Sequence, residues 1–176
     1  MRLRLLHSVS RFGDLAEIWC DLAGRTGAGP FQSYAWAESW WAAYGADLQL
    51  TPVLVYQGGS VCGLVPLALR STPDGDELIF IGTGMSDRLD WILAPGLDEH
   101  AVLSHLLNAV DRAGITTLDL LDLPETSTLL KSLRRIRLGR DVGIAHPCPW
   151  VGLPPSAARY LAGRSRNLRE AVRTAH

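Results

Sequence analysis

The sequence predicts an α+β protein in which a mostly antiparallel sheet is flanked by helices. Three observations carry that expectation. First, two apolar runs, 50–56 and 61–70, are separated by Gln57-Gly58-Gly59-Ser60, which reads as a hairpin closed by a glycine turn. Second, helical spacing recurs on both sides of this hairpin, in residues 15–23 and 34–44 before it and 98–114 after it. Third, residues 79–95 read as two strand-like runs hinged into a further hairpin by Gly82 and Gly84, and this segment and a β-run at 116–123 bracket the last of those helices, so that strands and helices intermix along one chain.

Taken in order, residues 2–9 alternate weakly and read as an edge strand, and Asp14 is the expected N-cap of the next helix. Leu15, Ile18, Trp19, Leu22 and Ala23 then recur at i, i+3, i+4, i+7 and i+8, one buried helical face, with Gly24, Gly27, Gly29 and Pro30 as terminators. Ser33 caps a helix over 34–44, where Trp36, Trp40 and Tyr44 share a stripe. Such a stripe reads first as core, because large aromatics supply burial before they supply recognition. Pro66 lacks a ladder donor and is expected at a bulge or an edge of the second strand. Thr72-Pro73-Asp74-Gly75-Asp76 is a further turn.

Asp98 is read as the cap of a helix carrying Ala101, Val102, Leu106, Ala109 and Val110 along one side, and Gly114 stops it. Ser127 is the expected cap of a helix bearing Leu129, Leu130, Leu133 and Ile136. Residues 141–153 read as one or two short strands. A single helix is expected from Ala157, with Arg164, Arg166, Arg169 and Arg173 on it, and the sequence stops inside that pattern.

Composition narrows the classes available. The 176 residues are 47% hydrophobic and 20% charged, as in a globular domain. The longest apolar runs fall short of the roughly 20 residues a membrane span needs, so no span is expected and the localisation expected is cytoplasmic. Cys20, Cys62 and Cys148 lack paired spacing and the five histidines do not cluster, so neither a disulfide framework nor a metal site is expected. From Lys131 onward ten basic residues face two acidic ones, a net +8, which leaves −9 in the first 130 residues. Such asymmetry fits either solvated helical faces or an anionic partner; without interleaved aromatics, nucleic acid is not the partner expected.

The densest local chemistry lies at 79–95, where Gly82 and Gly84 precede Asp87, Arg88, Asp90 and Trp91. A carboxylate there could orient an acceptor amine or take its proton; the competing reading is that one Asp caps the turn and the other pairs with Arg88. Trp36, Trp40 and Trp91 complete the candidate acceptor-binding set, and Arg166 with Arg169 share a helical face suited to phosphate or carboxylate. His146 and Cys148 are mere sequence neighbours and do not make a triad.

Several segments, in this order, carry a family resemblance: Pro30-Phe31-Gln32-Ser33-Tyr34-Ala35-Trp36 with Trp40-Trp41, Gly63-Leu64-Val65-Pro66-Leu67, Gly82-Thr83-Gly84-Met85-Ser86-Asp87-Arg88-Leu89-Asp90, Asp119-Leu120-Leu121-Asp122-Leu123-Pro124, Cys148-Pro149 and Arg166-Asn167-Leu168-Arg169. Together they resemble the CelD-type, cellulose-biosynthesis-associated acetyltransferases, a FemAB-related group of the GNAT superfamily. The resemblance implies a GNAT-like mixed sheet with an additional C-terminal helix, and two such units in tandem. Residues 1–153 would be the first unit and 154–176 the helix leading toward a second. The implied activity is acyl-CoA-dependent N-acyl transfer to a small-molecule amine, with acetyl-CoA or another acyl-CoA as cofactor.

GNAT cofactor sites use a Gln/Arg-x-x-Gly-x-Gly/Ala turn whose amides cradle a pyrophosphate. Arg70-Ser71-Thr72-Pro73 has Pro where Gly is needed, and Arg25-Thr26-Gly27-Ala28-Gly29 has the wrong offset. The expectation is therefore an acceptor-shaping half that does not bind the cofactor alone and works with a second half or by self-association. The alternative is a non-catalytic binding or assembly module in polysaccharide or cell-envelope biosynthesis.

Overall fold

A computed structural model describes residues 2–5, 11–136, 143, 147 and 151–174. The chain forms two compact units, Met1–Ala145 and His146–His176. The first is an α+β arrangement of two four-stranded sheets, mostly antiparallel, with helices on both faces.

β1 (Arg2–Leu5) pairs only with β3 and so lies at a sheet edge, as its weak alternation suggests. A 3-10 turn, Phe12–Leu15, leads into α1 (Ala16–Thr26). Asp14 falls inside that turn and does not cap α1; the N-cap is Leu15, with no side-chain cap bond. The helix also runs through Gly24 and stops at Gly27. Leu15, Trp19 and Leu22 are buried, the stripe their spacing implies.

α2 (Tyr34–Tyr44) begins where Ser33 Oγ accepts the Trp36 amide at 3.3 Å. The stripe expected along it is split by the fold. Trp40 is buried, Trp36 is half-buried, and Tyr44 is exposed, while Trp41 stacks on Phe12.

The central hairpin is a bent one. β2 (Gln49–Leu50) and β3 (Val53–Gln57) run antiparallel to β5 (Leu67–Thr72) and β4 (Ser60–Val65) in one uninterrupted register, from Leu50 opposite Ala68 to Val55 opposite Gly63. At Thr51-Pro52 and Pro66 both arms leave one sheet and enter the other. Proline cannot donate to a ladder, so the change of sheet falls where a donor is missing. Gly58 and Gly59 take φ 59° and 88°, the left-handed pair that a two-residue hairpin turn needs.

β6 (Gly75–Phe80) pairs with β5, and β7 (Ile92–Leu93) with β4. The two strand-like ends of 79–95 therefore do not form a hairpin. They belong to different sheets, and residues 81–91 are the excursion between them. α3 (Glu99–Arg112) starts where Asp98 Oδ1 accepts the Ala101 amide at 3.0 Å. β8 (Thr117–Asp119) lies parallel to β6 and ends well short of 123, because the chain turns at Asp122 (φ 61°). α4 (Thr128–Leu133) is capped by Ser127, whose Oγ accepts the Leu130 amide at 3.1 Å.

Alternation along the strands makes two cores. Leu54, Leu64, Ala68 and Ile79 face Trp19, Leu22 and Trp40, whereas Val55, Val65, Leu67 and Phe80 face Val102, Leu103, Leu106 and Leu129. No helix among the described residues is long and apolar enough to cross a membrane.

In the second unit, α5 (Ala157–Ala162) and α6 (Arg166–Thr174) replace the single helix expected from Ala157. The break falls at Gly163-Arg164-Ser165, and the Arg164 guanidinium lies 4.2 Å from the centre of the Tyr160 ring. The strands expected over 141–153 and the contribution of Cys148 fall largely outside the described residues.

Candidate functional site

The excursion 81–91 is shaped from within. Gly82 takes φ 109°, and a Cβ there would come within 2.8 Å of Ser86 Oγ and 2.9 Å of Leu89 Cδ2, so glycine meets both the conformation and the space. Ser86 Oγ donates to Gly82 O at 2.8 Å and accepts from Trp36 Nε1 at 2.9 Å, pinning the turn to α2. Leu89 is buried and its amide donates to Asp122 O at 2.9 Å. These contacts carry Asp90 and Trp91 into the mouth of a cleft of about 590 Å³.

Four segments wall the cleft: the loop after α1, residues 88–93, the first turn of α3, and the turn before α4. Gln32 ties the first two together. Its side-chain oxygen accepts the Gly29 amide and its Nε2 donates to Trp91 O, both at 3.2 Å, while its backbone oxygen accepts from Trp19 Nε1 at 2.8 Å. On the opposite side Trp91 Nε1 donates to Thr128 Oγ1 at 3.0 Å.

Asp90 is the chemically distinctive group. Burial pushes its carboxyl from an ordinary 3.8 up to about 6; a hydrogen bond from the Ser127 side chain and one from the Trp91 amide, at 2.9 Å, hold it down, Glu99 pushes it up further, and Arg88 lowers it. A carboxyl poised near neutrality inside a cleft can bind a cation when ionised and take or return a proton near pH 7.

The candidate residues are thus distributed unevenly. Asp90 and Trp91 line the cleft together, with Arg88 beside them. Asp87 is exposed and is not among the lining residues. Trp36 stands behind the wall, edge-on to Phe31 at 5.1 Å, and Trp40 borders a separate hollow of about 320 Å³ with Tyr44 and Met85. Arg166 and Arg169 are exposed in the second unit, where Arg166 pairs with Glu170 at 2.6 Å. Glu99, Gln32 and Thr128 were not legible as site residues. Glu99 reads locally as a first-turn carboxylate suited to the helix dipole, and nothing within a short window links it to Asp90. Among the described residues no group of three or more His, Cys, Asp or Glu could hold a metal ion.

No family model matches the sequence, and no curated protein matches it. Among solved structures, the chain is similar to a ribosomal-protein-alanine N-acetyltransferase from Brucella melitensis biovar Abortus 2308, at 12% identity and a TM-score of 0.46, over 85% of this chain and 100% of that one. It is similar to an aminoglycoside antibiotic 6'-N-acetyltransferase from Acinetobacter haemolyticus, at 10% identity and a TM-score of 0.46, over 86% and 100% of the two chains. A GNAT family acetyltransferase from Staphylococcus aureus is 11% identical with a TM-score of 0.44, over 84% of this chain and 98% of that one.

Proposed function

We propose that this chain is the acceptor-binding part of a CelD-type, GNAT-superfamily N-acyltransferase acting in the cytoplasm, with residues 154–176 leading toward a second GNAT-like unit. The observation that carries the reading is Asp90, a carboxyl held near neutrality in a cleft that also contains Glu99. Two carboxylates favour an ammonium, and the cleft is lined by the carbonyl end of α1 at Thr26 and Gly27, whose dipole adds negative potential. The ammonium is held by Asp90 and Glu99, and Asp90 accepts the proton that an amine must lose before it becomes a nucleophile.

Acyl-CoA would supply the activated acyl group. The residues present do not fit its pyrophosphate: α3 begins at the cleft, yet the Ala101 amide of its first turn meets the Asp98 carboxylate, and Glu99 follows directly. Two negative charges stand where an anion would need bare N–H groups. The cofactor is accordingly assigned to the further GNAT-like unit toward which residues 154–176 would lead, with Asp90 preparing the amine.

Calorimetry tests both halves of this reading. Primary amines are expected to bind the chain more tightly above pH 6 than below it, and to lose about tenfold or more in affinity in Asp90→Asn. Equal binding by the variant would favour a non-catalytic module. Acetyl-CoA is expected to show no micromolar binding to this chain by itself, and such binding would contradict the assignment of the cofactor elsewhere.

A further inference from the structure

The charges of the cleft do not cancel among themselves. Arg88, Asp90 and Glu99 all line it, and Arg88 and Glu99 both act on the Asp90 carboxyl. Among the described residues, however, neither Arg88 nor Glu99 forms a salt bridge; the pairs found are Asp21 with Arg25, Arg70 with Glu77, and Arg166 with Glu170. A simple amine would satisfy the carboxylates and leave Arg88 facing a like charge. An anion would satisfy Arg88 and confront two carboxylates. An occupant bearing one charge of each sign answers both.

Resting on the reading of the cleft as an amine-acceptor site, we propose that the acceptor is a zwitterion, a free α-amino acid whose ammonium lies between Asp90 and Glu99 and whose carboxylate pairs with Arg88. Phe31, Pro30 and Leu93 supply apolar wall beyond the charged groups, and about 590 Å³ leaves room for a large side chain there. An apolar amino acid is therefore the class that fits. Arg88, exposed along the cleft, acts as the specificity-determining residue, because its forked donors match a carboxylate and form no salt bridge among the described residues, although its charge lowers the Asp90 carboxyl.

Four probes of one shape separate the charges: L-phenylalanine, its methyl ester, phenethylamine and 3-phenylpropanoate, each titrated into the whole chain by calorimetry at pH 7.5. L-phenylalanine is expected to bind about tenfold or more tighter than the ester and phenethylamine, which lack the carboxylate. Arg88→Met should bring L-phenylalanine down to the level of phenethylamine while leaving phenethylamine bound at least as tightly as before, since a like charge is removed, the pattern of a specific pairing and not of a damaged fold. Phenethylamine or the ester binding as tightly as L-phenylalanine would overturn the zwitterion and leave the amine-acceptor reading standing, the ester standing in for a peptide N-terminus. If 3-phenylpropanoate alone bound, both would fall. No binding by any probe up to ~10 mM would also overturn the proposal.

Discussion

Replacing Asp90 by Asn removes a charge from the cleft wall while keeping a carbonyl oxygen for the Trp91 amide, which donates to Asp90 Oδ1 at 2.9 Å. The size of the effect follows from the raised carboxyl. In the unfolded chain an aspartate titrates near its ordinary 3.8, whereas in the fold burial brings Asp90 to about 6. At about 1.4 kcal/mol per pH unit, the ionised native form carries a penalty of up to about 3 kcal/mol relative to the protonated one. Below the unfolded value both states hold the proton and the penalty is absent. As pH rises through the folded value the native state is ionised in spite of burial, and that stability is lost.

Asn carries no such penalty, although its amide must find a new partner near Ser127. The variant should therefore match the wild type near pH 4 and exceed it by about 1–3 kcal/mol at pH 7.5, with the change concentrated between pH 4 and 6. Urea unfolding followed by tryptophan fluorescence at constant ionic strength reads this directly, as a midpoint gap of roughly 0.5–1.5 M, at a slope of about 2 kcal/mol per M, that opens with pH. Glu99→Gln should narrow the gap, since Glu99 raises Asp90, and Arg88→Met should widen it. A gap that is independent of pH, or largest in acid, would refute the burial of this carboxyl and the proton-accepting role built on it.

Ser127→Ala should cost about 1 kcal/mol through loss of the α4 cap, and it should also raise Asp90 further, since the Ser127 side chain is the strongest group holding it down; a carboxyl titration by NMR separates the two effects. Gly63→Ala would drive a Cβ into the Leu93 side chain and within 3.2 Å of Val55, and should destabilise the β3-β4-β7 seam by about 1–3 kcal/mol in denaturant titration. Arg70→Met removes two hydrogen bonds to Glu77 Oε2, at 2.6 and 2.9 Å, between cross-strand partners. Because Arg70 is partly exposed the stability cost should stay below about 1 kcal/mol, while Asp119, which burial and Glu77 already raise and Arg70 lowers, should titrate higher still.

Much of the architecture is legible because its causes are local. α2 runs over the residues that its serine cap and aromatic spacing predict, and α3 begins at Asp98 and ends before Gly114 for equally short-range reasons. The glycine turn at 58–59 follows from what glycine permits, whereas Pro66, expected at a bulge or an edge of one strand, instead falls at a break where β4 ends and β5 begins in the other sheet, because proline withholds a ladder donor. The failures are of another kind. Asp14 has the right chemistry for a cap, but a 3-10 turn starts earlier and absorbs it. The amphipathic pattern from Ala157 continues through Gly163-Arg164-Ser165, whereas the helix does not.

Residues 79–95 mark the division most clearly. Their own composition determined that two β-like ends would flank a tight, charged excursion with Asp90 and Trp91 at its exit. Which sheet each end joins was decided only by tertiary structure, since a period-2 pattern specifies a buried face and is silent about the neighbouring strand. The same holds for the chemistry of Asp90. Its carboxylate is written in the sequence, but its rise toward neutrality comes from burial against groups that are distant along the chain, Ser127 and Glu99 among them, and desolvation is a property of what surrounds a group in space.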